Sequence, residues 1–231
     1  MSAALTFMQQ LKHDVLTHPF LTHPFLKQLT AQPLTREQGK QFALLYYPHI
    51  LRTRLYQANA LGVTPDENLQ FVLAEILYDE YGNGDLNKSH MAVYRKFMRA
   101  VGVTDNEMIS PYMMPELQGY IDTMMRISQG QNWLAAVAAV GIAGEWPIPP
   151  YYQTLLDALR TIPNVTDDDL QLFIEHIVLD IEHSGMVEQA LITYAGDKNA
   201  QEQIRHGVML NLNARMVLLS GLQREMFSEL G

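Results

Sequence analysis

Residues 131–144 read Gln-Asn-Trp-Leu-Ala-Ala-Val-Ala-Ala-Val-Gly-Ile-Ala-Gly, without a single charge. A bilayer needs about 20 such residues, so this run is too short to span one. It is predicted to be a buried core helix whose Ala and Gly faces let neighbours approach closely. The rest of the chain follows helical periodicity. Helices are expected over 4–15, from Thr35 to about 61, over 65–81, 89–101, 115–128 and 150–160, across 173–188 and over 199–229. Thr35 and Gln38 have the spacing of a capping box, and Gly62 marks an end. Asp167 to Asp169 are expected to cap the helix of 173–188. Pro147, Pro149 and Pro150 must bend the chain after Glu145. Leu-Thr-His-Pro-Phe occurs twice, at 16–20 and 21–25, where His18 and His23 read as connectors because the residue before proline avoids helix. No sustained period-two alternation appears, so the expected class is all-α, a bundle of about seven to nine helices. Residues 1–231 are expected to form one domain.

Composition removes several functions. Sixteen Lys plus Arg against 25 Asp plus Glu give a net charge of −9 with no basic block, which argues against nucleic acid. No run of 18 apolar residues and no signal peptide are apparent, so no membrane is expected and the cytoplasm is the expected location. The absence of cysteine removes disulfides, thiolate metal sites and cysteine nucleophiles. Thirteen methionines fit adaptable packing, around an internal space or in an ordinary core.

The polar residues on apolar helices carry the chemistry. His176, Asp180 and His183 are spaced four and then three apart, within roughly 60° on one helical face. Phe173, Ile177 and Ile181 set that stripe beside an apolar face, and such donors suit iron, manganese or zinc. Glu145 closes the Ala-rich run, where a carboxylate is costly without a cation. Glu80 ends the helix of 65–81, with Asp79 as its rival, and His90 follows across Gly82-Asn83-Gly84-Asp85. Three carboxylates would nearly balance two divalent ions.

Four segments then resemble the haem-oxygenase-like family that includes TenA, PqqC, CADD and di-iron oxidases and oxygenases. They are Leu-Leu-Tyr-Tyr-Pro-His-Ile at 44–50, Leu-Tyr-Asp-Glu-Tyr-Gly through His90, Glu-Trp-Pro-Ile-Pro at 145–149, and His-x3-Asp-x2-His at 176–183. The resemblance implies a seven-helix bundle with Glu80, His90, Glu145, His176, Asp180 and His183 as metal ligands. Glu80, Glu145 and Asp180 would be its catalytic carboxylates. A seventh ligand known in some members is missing, since residues 41–62 contain no acid. TenA-type hydrolysis lacks its cysteine here, and haem degradation lacks its axial histidine context. The position matching the tyrosine that CADD-like members sacrifice is Leu26.

The implied activity is O2-dependent oxidation by two Fe(II) ions, with Mn as a substitute, of a small organic substrate in specialised-metabolite or cofactor biosynthesis. An amino acid is the favoured candidate. An external electron donor and a homodimer are compatible with it. Tyr46, Tyr47, Tyr78, Trp146 and Tyr152 are expected to line the pocket. Arg52 or Arg54 would hold a substrate carboxylate, and His49 would lie near substrate or in the core. The alternative is a cofactor-free PqqC-like oxidase or a small-molecule-binding protein without metal.

Overall fold

The computed structural model describes residues 2–227. Helix α1 (Ala3–Leu16) starts at Ser2, whose hydroxyl accepts from the Leu5 amide. Both His-Pro-Phe units then do the same local job. His18 Nδ1 accepts from the Phe20 amide at 3.2 Å, and His23 Nδ1 from the Phe25 amide at 3.1 Å. Each proline follows its cap, where a missing N–H costs nothing. A short 3-10 turn (Pro19–Thr22) and α2 (Pro24–Leu29) result.

The expected capping box at Thr35 and Gln38 opens α3 (Arg36–Ile50). The long helix expected to run to 61 is broken, and this corrects the sequence reading. Pro48 removes one ladder donor in the last turn of α3. Bonding tightens at Arg52, whose amide donates to His49 O at 2.9 Å, and α4 (Thr53–Val63) sets off again. Gly62 lies in the last turn of α4 rather than beyond it.

Asp66 caps α5 (Glu67–Glu80) through the Leu69 amide at 2.8 Å. The segment after α5 carries three successive positive φ values, at Gly82, Asn83 and Gly84. A Cβ on Gly82 would collide with the Asp85 carbonyl, so only glycine fits there. This tight loop delivers Ser89 as the cap of α6 (His90–Ala100). His90 is therefore the first helical residue, close behind the end of α5.

Helices α7 (Asp105–Ile109) and α8 (Pro115–Ser128) follow. The Ala-rich run begins as α9 (Trp133–Val137) and then widens into a π turn over Ala138–Ile142, closed by Ala143 N to Ala138 O at 3.0 Å. All its residues from Leu134 to Ala143 are buried. The approach expected of its small residues is visible at Gly141, where a Cβ would lie 2.8 Å from both Val187 methyls. The chain bends at residues 143–147, and α10 (Ile148–Leu159) starts with Pro149 and Pro150 in its first turn. Those two prolines thus begin a helix rather than making the bend.

Helix α11 (Gln171–Leu191) has Leu170 at its cap position, with no side-chain cap bond. The expected Asp167–Asp169 cap is displaced. Asp169 accepts from Thr166, and Asp167 pairs with Arg160. α12 (Lys198–Phe227) packs along α8, α9 and the π turn, while α11 packs on α10, α5 and α6. Phe173 is buried as expected, but Ile181 is 64% exposed, so the apolar face of α11 is narrower than its sequence suggests. All regular elements among the described residues are helical.

Candidate metal centre

The six predicted ligands converge from four places in the chain. They form two triads, Glu80 with His90 and His176, and Glu145 with Asp180 and His183. Within each triad one donor atom per residue lies within 4.8 Å of the others. Helix α11 serves both, because residues 176, 180 and 183 share a face. Glu80 comes from the last residue of α5, His90 from the first of α6, and Glu145 from the turn after the π segment. A π turn shifts every later residue by about one position on the helix, and such turns gather at functional sites. All six residues border one cavity of about 50 Å3, together with Ile50, Ile148, Tyr152 and Leu172.

Two histidines have their tautomers set by acceptor-only partners. His176 Nδ1 lies 2.6 Å from Leu172 O, so it carries the proton and Nε2 keeps the lone pair. His183 Nε2 lies 2.8 Å from Asp79 Oδ2, so it carries the proton and Nδ1 keeps the lone pair. A carboxylate or carbonyl behind a histidine orients it and raises its basicity as a metal ligand. Asp79, the rival of Glu80, is in neither triad; it supports His183 from behind.

The charges are those of a site short of cations. Burial alone would raise Glu80, but the charge and hydrogen bond of His90, 2.7 Å away, bring it down to about 2. His90 is raised in turn, against its own burial. Burial, then the charge on His90, push His176 down to about 3, so it stays neutral with its lone pair available. In the other triad burial raises Glu145 to about 7, and it raises Asp180 well above the carboxylate range with Glu145 beside it. Two buried carboxyls in contact hold a proton between them when no cation is near. Three carboxylates and three imidazoles are the donors that iron or manganese takes, and the protonated pair marks where positive charge is missing. The residues therefore fit a pair of divalent ions.

The predicted substrate contacts are divided. His49 and Tyr152 line the cavity, and Tyr152 meets His176 with ring centroids 5.6 Å apart. Tyr46 is buried one layer back, edge-on to His49 at 5.0 Å. Five residues are placed elsewhere than expected. Tyr47 turns away and accepts from Arg95 Nε at 2.6 Å. Tyr78 is 56% exposed beside Gly84. Trp146 is buried under Lys12, whose Nζ sits 5.1 Å from its ring centre. Arg52 is half-buried at the start of α4 outside the cavity, and Arg54 lies over Tyr81.

The cation at the cavity is Arg215, which sequence reasoning missed. It is buried in the middle of α12, donates from Nε to Asn211 Oδ1 at 3.0 Å and reaches Gly144 O at 3.5 Å. A signal existed: residues 204, 208, 211, 212, 215, 218, 219 and 222 follow one helical stripe, and all are buried. Asn211 and Arg215 stand where that stripe calls for apolar residues.

With this geometry in view, the chain proves similar to known proteins on three counts. Residues 40–216 match the family described as iron-containing redox enzyme. The 4-aminobenzoate synthase of Nitrosomonas europaea is 27% identical over 206 residues, covering 84% of this chain and 81% of that protein. The protein of the same name from Chlamydia trachomatis is 29% identical over 160 residues, covering 69% and 67%. A CADD-like protein of unknown function from Nostoc punctiforme superposes with a TM-score of 0.82 at 16% identity, over 97% of this chain and 99% of that one. A Shewanella denitrificans domain with a haem-oxygenase-like fold superposes at 0.72 and 15% identity, over 94% and 89%. The fold is thus haem-oxygenase-like and all-helical. The chain belongs to the family of iron-containing redox enzymes.

Proposed function

We propose that this protein is an O2-dependent di-iron oxidase or oxygenase acting on a small organic acid, with aromatic and amino acids as the favoured class. The observation that carries the proposal is the pair of complete donor triads on one cavity. Glu80, His90 and His176 would hold one Fe(II) ion, and Glu145, Asp180 and His183 the other, with Mn(II) as a substitute. Bound iron would supply the electrons that reduce O2. Against the cofactor-free alternative stands the cost of burying three carboxylates that two cations would neutralise.

The protein's own part is holding and orienting. Asp79 and the Leu172 carbonyl fix the donor nitrogens of His183 and His176. Gln57 Nε2 donates to Glu80 Oε1 at 3.1 Å and fixes that carboxylate. Ile50, Ile148, Leu172 and the Tyr152 ring supply the apolar part of the cavity wall. Glu145 and Asp180 would give up the proton they hold and offer their oxygens as ligands to a bound cation. The relatives named 4-aminobenzoate synthase make an aromatic amino acid the first chemistry to test. The CADD-like use of a sacrificed tyrosine would need another residue, since Leu26 is a buried core leucine here.

O2 uptake by ferrous-loaded protein, followed over a panel of single-ring carboxylic acids and amino acids, tests the activity. Uptake stimulated by a member of the panel and lost in Asp180→Ala is expected. Uptake no faster than that of free ferrous ion, across the panel, contradicts it.

A further inference from the structure

We propose that Arg215 anchors the carboxylate of a small, single-ring or short-chain acid in a second lobe of the cavity, beside the metal triads. This rests on the proposed function and names a subsite within it. The lobe is about 40 Å3 and shares His49, Thr53, Gly144, Glu145 and Arg215 with the metal lobe. The remaining wall includes Tyr56, Gln57, Tyr120 and Met124.

Arg215 is a buried cation with no carboxylate of the described residues in direct contact, although its charge reaches Asp180. No carboxylate among the described residues forms an ion pair with it. Its guanidinium bonds Asn211 and Gly144, lies beside the Tyr120 hydroxyl and sits over the Phe20 ring at 5.7 Å, and of its five donors some remain for a ligand. A buried charge normally meets an opposite charge. A planar fork facing a cavity matches a carboxylate better than it matches water.

A second observation points to the same place independently. Four buried polar side-chain atoms lack a hydrogen-bond partner among the described residues: His49 Nδ1, Tyr56 OH, Gln57 Oε1 and Trp146 Nε1. The first three belong to residues that line this lobe. Orphaned buried polar atoms are few in folded proteins, and a group of them around one space marks an absent partner. Their chemistry is specific. The Tyr56 hydroxyl is a donor for a carboxylate oxygen. Gln57 must turn its NH2 toward Glu80, which can only accept, so Oε1 remains as an acceptor for an amine or hydroxyl. Rings stand ready to flank a planar ligand, with Tyr56 and Tyr120 in edge contact at 6.4 Å and His49 and Tyr120 at 5.2 Å.

Size narrows the class. One water-sized group needs about 10–15 Å3. Lobes of about 50 and 40 Å3 seat only a few such groups each, which fits a single ring and not a long acyl chain. Gln57 touches both the lobe and Glu80, so an occupied subsite would steady one of the metal triads.

Titration calorimetry on metal-free protein, comparing 4-aminobenzoate with the neutral 4-aminobenzamide, tests the proposal without any turnover. Wild type is expected to bind the acid at least tenfold tighter than the amide. Arg215→Gln should erase that preference, and Arg215→Lys should retain part of it, since the charge remains and the fork is lost. Iron content is measured in parallel and is expected to match wild type in both variants. Equal binding of acid and amide by wild type, no binding of either, or full preference in a folded Arg215→Gln protein overturns the subsite. Iron uptake without acid preference leaves the metal reading standing and removes only the anchor. Acid preference in a protein that takes up no iron does the reverse.

Discussion

Glu145 and Asp180 meet in a buried turn-to-helix contact where neither carboxyl ionises easily alone. Such a pair opposes folding until a cation arrives. Asp180→Asn is therefore expected to stabilise the metal-free protein, on the order of 1–2 kcal/mol by chemical denaturation, while abolishing stabilisation by ferrous ion at that triad. A less stable metal-free variant would show that the pair is not under charge strain. At this scale the sequence was informative where spacing alone sets a shared face. Residues 176, 180 and 183 must project together on any helix, and Glu80 and Glu145 stand at ends of apolar runs. It was uninformative where the phase of a helix decides. Tyr46 and Tyr47 point about 100° apart, so at most one faces a given cavity. Arg215 stayed hidden because a charged side chain on a helix ordinarily faces water, and only the stripe from 204 to 222 reveals its inward position.

Single elements place these groups, and they fail in identifiable ways. A methyl on Gly141 would press on Val187 across the contact between the π turn and α11. Gly141→Ala is expected to cost roughly 1–3 kcal/mol and to loosen the Glu145 triad, read as weaker binding of the second metal equivalent. Unchanged stability would mean that α11 can slide away. Asp66 caps α5, which carries Glu80, and accepts from Tyr194 OH at 2.6 Å. Its pKa is lowered, first by the Tyr194 bond and then by the Leu69 amide. The folded state therefore favours the ionised form. Its contribution is complete above the unfolded value of about 3.9 and is lost as pH falls through the lower folded value. Asp66→Ala should cost about 1 kcal/mol at neutral pH. The gap from wild type should shrink at the acid end of a urea series, and a constant gap would refute the linkage. The long helices were legible, but the short α2 and α7, the break at Leu51–Arg52 and the π turn were not. Pro48 in a last turn can end, kink or leave a helix, and neighbouring helices decide which. A π turn has no composition of its own.

The whole molecule is a helical bundle whose stability and chemistry share one interior. Ligands that bind only the folded state stabilise it by about 2.7 kcal/mol at a hundredfold excess over Kd. Anaerobic ferrous or manganous ion is expected to raise the melting temperature of wild type, with a smaller rise in single-triad variants. No described helix is long and apolar enough to cross a membrane. The central claim is that two cations belong in the interior of the bundle. Iron per chain after anaerobic ferrous loading and removal of free ion measures it most directly. Two irons are expected for wild type, and fewer for His176→Ala and for Asp180→Ala, with helical circular dichroism intact. A wild-type protein that retains no iron, or variants that retain as much as wild type, would contradict it.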